Sequence, residues 1–400
     1  MKKLLFIEDE IITGSIYKHY FATAGYNVRL AVSDEEGRAA LKEFQPDLVV
    51  LDLMLPRIKS LEILKHIRTE AATQPLPVIA LANAYARQII KAAENLGANK
   101  CLIKSKTHMN ALEVTVLQCL ASAPPVQPPS GPASVAVSSQ LITASISAAP
   151  LDPRDEFLRS APQALANLTS VSQNLLRTNQ VTARPPIVLE LYRAVHALTA
   201  QAALAEAPLF AQMASALEAL LSELDEKPHK IDASTMRTVN QTITFLGILF
   251  TDAFSRIHDE PPEFKILAVD DEALSRKCVA DALDRAFLTP IVAEDPIVAL
   301  GLLKRQRFDL VVTDVNMPGM NGFELCAQLR ALPSNATTPV IFVTVLNGFE
   351  ARVRSAQSGG DDFIAKPFLY IELAVKALTL ILRPQVKPIL PGFQAFSPGH

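Results

Sequence analysis

The chain repeats itself at a constant spacing, and this repeat constrains its fold more than any other feature of the sequence. Three charged positions recur 262 residues apart, namely Asp9 and Asp271, Asp52 and Asp314, and Lys104 and Lys366. No insertion or deletion is needed between these landmarks. Because self-similarity at a fixed period indicates repeated structural units, the two ends of the 400-residue chain are predicted to share one fold.

In the second copy, residues 308–314 (FDLVVTD) form an almost unbroken apolar and β-branched run that is followed by turn-forming residues. Such a run is typical of a strand buried on both faces, as in the middle of a parallel sheet. Asp314 lies where this strand ends. In open α/β sheets the ligand crevice lies beyond the carboxyl ends of the strands, so Asp314 is predicted to face a bound group.

Three more predicted strands of this copy end in polar residues. Residues 265–269 are followed by Asp270 and Asp271, residues 340–343 by Thr344, and residues 362–365 by Lys366. Clustered carboxylate oxygens suit a hard cation such as Mg²⁺. An aspartate that attacks a phosphoryl group needs positive charge near the phosphoryl oxygens, and a hydroxyl can donate to one of them. This set of residues therefore predicts a site for an acyl phosphate.

Residues 264–384 resemble a response-regulator receiver domain of the CheY type. The resemblance implies that Asp314 is the phosphoacceptor and that Asp270, Asp271 and Asp314 hold Mg²⁺. It also implies that Thr344 and Lys366 contact the phosphoryl group and that Phe363 belongs to the switch.

Through the repeat, residues 1–121 are predicted to form a second receiver-like domain. Its strands are expected at residues 4–7, 28–31, 48–51, 78–81 and 100–103, alternating with helices. The resemblance implies that each receiver is doubly wound, with a five-stranded parallel sheet of flavodoxin-like order 2-1-3-4-5. The resemblance implies that Glu8, Asp9 and Asp52 hold the metal, that Asp52 is the phosphoacceptor, and that Lys104 binds the phosphoryl group.

Three departures of the first copy from the second bear on the predicted switch. Ala82 replaces the hydroxyl of Thr344, Ser60 stands where the second copy has Gly322, and Cys101 stands where it has Phe363. The charges that would surround a phosphoryl group on Asp52 remain. Two interpretations stay open: Asp52 accepts phosphate without the usual switch, or this domain has become a docking module.

The segment between the two copies divides into a linker and a helical region. Residues 122–153 are rich in Pro, Ser and Ala and are expected to form a linker, because they cannot bury enough apolar surface to fold. Residues 154–260 show apolar stripes at helical spacing, as in Leu209, Met213 and Leu217, and predict a helical bundle. One helix is expected from Ile187 to about Glu206. Residues 385–400, after the second receiver (261–384), are expected to form an extended tail.

His196 lies on this predicted helix at the edge of its apolar stripe, where small neighbours are expected to leave the ring approachable. The surrounding residues resemble the histidine phosphotransfer (Hpt) module. The resemblance implies that His196 is a phosphoacceptor and that Glu218, on the next helix, orients its ring. Thr199 and Ala200 depart from the Lys and Gly of the family motif, so a histidine without a phosphotransfer role remains the alternative.

Composition excludes several other classes. Lys and Arg number 38 against 41 Asp and Glu, which gives no reason to expect a nucleic-acid partner. The four cysteines lack the spacing of a metal site and fit a reducing compartment. The sequence also shows no signal peptide and no credible membrane span, so we expect a cytoplasmic protein. Residues 359–363 (GGDDF) resemble a diguanylate cyclase signature but occupy the turn before the last receiver strand. Dimerisation cannot be read from the sequence.

Two functions fit these features. In the first, the chain is a phosphorelay protein that accepts phosphoryl groups from a sensor histidine kinase or another phosphorelay protein. The sequence holds no ATP-binding motif, so we expect no kinase or other enzyme activity beyond slow self-dephosphorylation. In the alternative, it is a phosphorylation-gated adaptor in which the first receiver and the Hpt-like bundle serve as docking modules.

Overall fold

The computed structural model describes residues 1–54, 60–122, 152–252, 264–345 and 357–385. The chain divides into two compact units, Met1–Ser160 with Ala200–Glu206 and Ala161–Thr199 with Ala207–His400. The residues of the predicted linker and tail lie almost entirely outside the described part of the chain. Among the described helices, none combines the length and the apolar composition that a membrane span requires.

The amino-terminal domain alternates strands and helices. Its elements are β1 Lys3–Ile7, α1 Ile11–Thr23, β2 Asn27–Ala31, α2 Asp34–Glu43, β3 Leu48–Asp52, α3 Ser60–Thr69, β4 Val78–Ala82, α4 Arg87–Asn95, β5 Lys100–Ile103 and α5 Met109–Ser122. The five strands are parallel and lie in the order β2-β1-β3-β4-β5. This is the predicted order 2-1-3-4-5, and the five strands include every residue predicted for them.

The central strands of this sheet are buried on both faces, which explains their apolar runs. Val49, Leu51 and Val78 pack with residues of α2 and α3 on one face. Leu48 and Val50 pack on the other face with residues of α1 and α5. Because both faces are covered by helices, every strand residue of β3 and β4 is removed from solvent.

The described residues of the middle region include four α-helices: α6 Pro153–Arg177, α7 Arg184–Leu204, α8 Pro208–Glu226 and α9 Ala233–Asp252. Their contacts join helices that are distant in sequence, since the Ser172 hydroxyl of α6 donates to Asn240 Oδ1 of α9 over 3.0 Å. The apolar stripe of α8 is buried, including Met213 and Leu217. The predicted helical middle region is therefore present.

The bounds of α7 correct one sequence expectation. The helix begins at Arg184, three residues before the predicted start at Ile187, because Pro185 and Pro186 lie in the first turn, where a missing N–H costs no hydrogen bond. It ends at Leu204 rather than near Glu206, which has a positive φ of 57° and cannot continue a right-handed helix.

The carboxyl-terminal domain repeats the fold of the first. Its elements are β6 Ile266–Val269, α10 Ala273–Arg285, β7 Pro290–Ala293, α11 Pro296–Arg305, β8 Leu310–Asp314, α12 Gly322–Arg330, β9 Val340–Thr344, β10 Asp362–Ala365 and α13 Tyr370–Leu382. The parallel strands lie in the order β7-β6-β8-β9-β10, which is again 2-1-3-4-5. The two doubly wound sheets and the helices between them confirm the predicted fold class.

Helix α13 differs from the usual surface helix of such a domain. Every residue from Ile371 to Leu382 is buried. On one side α13 packs against α10 of its own domain, and on another it packs against α8 and α9 of the bundle. The second receiver and these bundle helices therefore share one packed helix within the second unit.

Candidate functional sites

The second sheet brings the predicted acidic residues together at its carboxyl edge. Asp314 is the last residue of β8, and Asp270 directly follows β6, its neighbour in the sheet. Lys366 follows β10, and its Nζ lies 3.0 Å from Asp270 Oδ2 and 3.1 Å from Asp314 Oδ1. One ammonium group therefore bridges carboxylates from two strands.

Asp270 is fixed by further donors. Its Oδ1 accepts a hydrogen bond of 2.9 Å from the backbone N–H of Glu272, and its Oδ2 accepts one from the Ser275 hydroxyl. Ser275 was not predicted as a site residue. Its signal was available in the repeat, because the same offset pairs Ser275 with Thr13, another hydroxyl in the first turn of the helix.

The carboxylates of the second site form a group that suits a metal ion. Each of Asp270, Asp271 and Asp314 offers an oxygen, and these three oxygens lie within 4.8 Å of one another. Asp270 and Asp314 are buried, whereas Asp271 is exposed. An all-oxygen donor set with one face open to solvent fits Mg²⁺, which keeps several of its waters.

The electrostatics of Asp314 are set by opposing effects. Burial raises the pKa of its carboxyl above the ordinary value, because desolvation penalises the charged form, while Lys366 acts to lower it and Asp270 to raise it. Burial acts to lower the pKa of Lys366, but its hydrogen bond to Asp270 and the charge of Asp314 outweigh that effect and raise it. Lys366 therefore remains a cation beside the two carboxylates.

The predicted switch residues lie on the neighbouring strands. Thr344 is the last residue of β9, which pairs with β8, and its side chain is buried. The backbone N–H of Lys366 donates to the Thr344 carbonyl over 2.7 Å, which ties the two strand ends together. Phe363 of β10 is half-buried and packs against the apolar core beneath the sheet.

The turn after Asp314 requires a glycine at position 322. A Cβ built on Gly322 would lie 2.1 Å from the Asp314 carbonyl oxygen, closer than any side chain can approach. The first copy has Ser60 at the corresponding position, where α3 begins. The two copies therefore differ in how the chain leaves the aspartate strand.

The first sheet builds a similar site with the same residue types. Lys104 Nζ lies 3.0 Å from Glu8 Oε2 and 2.6 Å from Asp52 Oδ2. Asp52 Oδ1 also accepts a hydrogen bond of 2.9 Å from the backbone N–H of Met54. Carboxylate oxygens of Glu8, Asp9 and Asp52 lie within 4.8 Å of one another, so the donor set for a hard cation is present here too.

Burial is deeper in the first site than in the second. The side chain of Lys104 is 4% exposed, against 19% for Lys366. Burial acts to lower the pKa of Lys104, but the charges of Asp52 and Glu8 outweigh this effect and raise it. Burial is also the main reason that the pKa of the neighbouring Tyr17 is raised. The ammonium group of Lys104 is therefore held in its charged form by the two carboxylates.

Two residues that differ from the second copy, Ala82 and Cys101, lie on β4 and β5. Ala82 ends β4 as Thr344 ends β9, so the first site has no hydroxyl at this point of the sheet. Cys101 of β5 is partly buried, and burial raises the pKa of its thiol to about 11. The thiol therefore stays protonated at neutral pH and packs as a small apolar group.

The bundle places His196 beside the residue predicted to orient it. His196 Nδ1 of α7 lies 2.7 Å from Glu218 Oε1 of α8. The ring of Tyr192 stacks on the imidazole, with centroids 6.0 Å apart and an interplanar angle of 26°. A carboxylate at one ring nitrogen favours the proton there and leaves the other nitrogen with its lone pair. The geometry suits a nucleophilic imidazole.

The accessibility of His196 differs from the sequence expectation. The sequence predicts that small neighbours leave the ring approachable, but His196 is 2% exposed. Tyr192 covers one face of the ring, and Glu218 occupies the Nδ1 edge. Thr199, at the position of the family lysine, turns its hydroxyl back to the Val195 carbonyl over 2.9 Å, so it presents no donor to a ligand.

Two doubly wound sheets, each with carboxylates and a bridging lysine at its carboxyl edge, define a protein with two receiver domains. The response regulator receiver domain family matches residues 4–115 and 266–378. The chain belongs to this family. Receiver domains of this family are phosphoacceptors of two-component signalling and bind Mg²⁺ at their acidic active site.

Particular relatives cover single domains. Over 113 residues the chain is 40% identical to the chemotaxis protein CheY-3 of Vibrio cholerae, covering 28% of this chain and 87% of that protein. The chain is also similar to the solved structure of the chemotaxis protein CheY4 of Vibrio cholerae. The two are 32% identical with a TM-score of 0.29, and the match covers 30% of this chain and 100% of that one. The receiver domain of a Pseudomonas aeruginosa sensor histidine kinase, solved with magnesium in its active site cleft, matches at 26% identity and a TM-score of 0.29, over 30% of this chain and 98% of that one.

Proposed function

We propose that this protein is a phosphorelay component in which Asp314, Asp52 and His196 carry phosphoryl groups. Its domains are a receiver at residues 1–121, a linker at 122–153, an Hpt-like bundle at 154–260, a receiver at 261–384 and a tail at 385–400. The observation that carries this proposal is the lysine bridge at each sheet edge, where Lys366 joins Asp270 to Asp314 and Lys104 repeats the arrangement.

Phosphoryl transfer to Asp314 is a displacement at phosphorus. One carboxylate oxygen of Asp314 attacks the phosphorus of a phosphohistidine, the new O–P bond forms as the N–P bond breaks, and the donor imidazole leaves with that electron pair and takes up a proton. Negative charge on the equatorial phosphoryl oxygens must be offset during this step. Lys366 supplies one positive charge beside the attacking oxygen, and Thr344 at the end of β9 supplies a hydroxyl donor.

Asp270, Asp271 and Asp314 would hold Mg²⁺ at the second site, and Glu8, Asp9 and Asp52 would hold it at the first. When bound, the ion neutralises charge on the phosphoryl oxygens and fixes their orientation. The hydrogen bonds from Ser275 and Glu272 keep Asp270 oriented toward this site. Ala82 leaves the first site without the switch hydroxyl, so Asp52 is expected to accept phosphate more slowly than Asp314.

In this proposal, His196 carries the phosphoryl group between receiver aspartates as a phosphohistidine. Glu218 holds Nδ1, so Nε2 is the nucleophile that would receive a phosphoryl group from a receiver aspartate and return it. The sequence contains no ATP-binding motif, so in this proposal the phosphoryl group comes from a separate protein. A sensor histidine kinase or another phosphorelay protein is the partner that this chemistry requires.

The relay is tested by finding which residues become phosphorylated. The full chain is incubated with Mg²⁺ and phosphoramidate, and phosphoaspartate is separated from phosphohistidine by its stability in acid. We expect acid-stable label on Asp314, weaker label on Asp52, and acid-labile label on His196. Asp314→Asn should remove the first signal, and His196→Gln the last. Absence of label in the unsubstituted chain, or label unchanged by Asp314→Asn, contradicts the proposal.

The adaptor is the second candidate function, and three departures from the family motifs favour it. Thr199 and Ala200 replace the Lys and Gly of the Hpt motif, and Ala82 replaces the switch hydroxyl of the first receiver. The His196→Gln variant separates the two functions. A relay loses transfer through the bundle in this variant, whereas an adaptor keeps its phosphorylation at Asp314 and its interactions unchanged.

A further inference from the structure

The outer face of helix α11, in the second receiver, is apolar at its centre. Ile297 and Val298 are 66% and 53% exposed, and Gly301 lies one turn further along the same side. The inner side of the helix, which includes Leu300 and Leu303, already packs in the core of the domain. Ile297 and Val298 are therefore not needed to hold α11 on its sheet. Adjacent apolar side chains on a folded surface mark a site of interaction.

The same helix of the first receiver has a charged face at these positions. The offset of 262 residues places Glu35 and Glu36 of α2 where α11 has Ile297 and Val298. Both glutamates are exposed, and the two sheets share one strand order. The fold therefore accepts either kind of residue, and the apolar pair of α11 requires a reason outside the folding of its own domain.

The edge strand beside α11 shows the same contrast. In the first receiver, Arg29 of the edge strand β2 forms an ion pair of 3.0 Å with Glu43 of α2. The offset places exposed Ile291 of β7 and Arg305 of α11 at these positions, so this ion pair is not repeated. Charged side chains on an edge strand hinder its association with other chains. Ile291 instead adds an exposed apolar side chain to the strand that packs beside α11.

Gly301 lies at the centre of the exposed face. A Cβ built on it would meet no atom of the described residues within 4 Å, so its own domain leaves room for a side chain. Glycine is less favourable than alanine inside a helix, and α2 has Ala39 at the corresponding position. The distance between two packed helices depends on the side chains at their contact. A glycine here allows a second helix to approach α11 closely.

The two ends of α11 carry opposite charges. Glu294 and Asp295 precede the helix, and Lys304 and Arg305 lie in its last turn. The side chain of Glu294 is 78% exposed, and its carboxylate lies 3.6 Å from Arg276. Both basic residues at the other end are exposed. If a second α11 packs antiparallel to the first, the acidic end of each helix meets the basic end of the other, so the surface is complementary to itself.

We propose that α11 is a self-association surface whose partner is a second copy of this chain. The two α11 helices pack antiparallel about a two-fold axis that passes between residues 299 and 300. This axis creates three contacts, each of which occurs twice: Ile297 with Leu302, Val298 with Gly301, and Glu294 with Arg305. The apolar pairs exclude water at the centre, and the charged pairs fix the antiparallel direction. The contact uses neither acidic site and does not depend on the proposed function.

The dimer is expected to be transient. A pair of helices of 10 residues each buries less than the roughly 800 Å² per partner of a standard interface. We therefore expect a dissociation constant on the order of 10–100 µM. Sedimentation velocity of the full chain, over a concentration series that spans about 1–500 µM, brackets this value.

The main variant replaces the apolar pair. Ile297→Glu combined with Val298→Glu copies Glu35 and Glu36 of the first receiver, a pattern that this fold accepts. It should weaken dimerisation by about tenfold or more, because charged groups would be buried at the centre of the contact. Leu117→Glu, at an exposed apolar residue of α5 in the first receiver, is the matched control and should leave dimerisation unchanged.

A charge exchange tests the antiparallel direction. Arg305→Glu should weaken dimerisation by about threefold or more, because Glu294 of the second copy then faces a like charge. Adding Glu294→Arg to the same chain exchanges the two charges and should restore the wild-type constant. Gly301→Gln adds a side chain where its own domain has room, so it should fold and still weaken the dimer even where the double glutamate variant does not fold.

Three results would overturn this inference. The first is a full chain that stays monomeric across the series. The second is a dimer that persists unchanged in Ile297→Glu with Val298→Glu and in Gly301→Gln. The third is a dimer that is lost in Leu117→Glu, which would place the contact on the first receiver.

Discussion

The ammonium group of Lys366 lies 3.1 Å from Asp314 Oδ1, and the same arrangement joins Lys104 to Asp52 over 2.6 Å. In both domains the lysine follows the last strand and the aspartate ends the central strand, so the sheet itself sets their distance. In the proposed function, each lysine would offset the charge that a phosphoryl group brings.

Lys366→Met should slow phosphorylation of Asp314 by about 100-fold, because one preorganised cation beside the transferred group is lost. The rate of acid-stable labelling by phosphoramidate measures this effect. Lys304→Met, which removes an exposed lysine of the same domain, should leave the rate unchanged. Equal rates in the two variants would show that Lys366 has no role in the transfer.

Thr344→Ala gives the second site the pattern of the first, where Ala82 occupies this position. We expect labelling of Asp314 to continue but to slow by roughly three- to tenfold, since one hydrogen bond to the phosphoryl oxygens is lost. The same labelling assay measures it. Thr337→Ala, at an exposed threonine before β9, is the matched control. A variant as fast as this control would remove Thr344 from the site.

Glu218→Gln should disturb the ring that it holds. With the carboxylate gone, the imidazole of His196 loses the acceptor that favours a proton on Nδ1, and the two tautomers should mix. Nitrogen-15 spectra of the imidazole report the tautomer directly. Phosphohistidine should fall by about tenfold or more. A single unchanged tautomer in the variant would show that Glu218 does not orient the ring.

Glu372→Gln should stabilise the protein at neutral pH. Burial raises the folded-state pKa of Glu372 above its unfolded value, so its ionisation destabilises the folded chain. The protonated carboxyl contributes its full stabilisation below the pKa that Glu372 has in the unfolded state. This stabilisation is lost as the pH rises through the pKa of the folded state. The variant should therefore unfold at a higher temperature than wild type at pH 7, and the gap should close in acid.

Thermal unfolding across this pH range measures that difference. Glu294→Gln, whose side chain is 78% exposed, is the matched control. A Glu372→Gln variant that is less stable than wild type at pH 7 would mean that the ionised carboxylate stabilises the contact with α9.

The sheets could be predicted from the sequence because their central strands are buried on both faces. This burial leaves unbroken apolar runs whose ends mark Asp314 and Asp52. The constant offset then located Lys104 from Lys366 without any structural information. The apolar pattern and the repeat were sufficient to predict these positions, because each of these residues ends or follows a strand.

Contacts between distant helices could not be predicted in this way. Glu372 and Ser234 are separated by 138 residues, and neither belongs to a recognisable motif. The apolar pattern of α13 predicts a buried face but does not say that a second face meets the bundle. The burial of His196 was missed for the same reason, because periodicity describes a helix and says nothing of what covers it.

The account depends on Asp314 accepting a phosphoryl group with the help of a bound cation. The most direct test is labelling of the Asp52→Asn variant by phosphoramidate, with and without Mg²⁺, followed by peptide mapping of the acid-stable phosphate. We predict one labelled site, Asp314, whose phosphorylation requires Mg²⁺ and disappears in Asp314→Asn. Label that forms equally without the ion, or that persists after Asp314→Asn, would contradict the account.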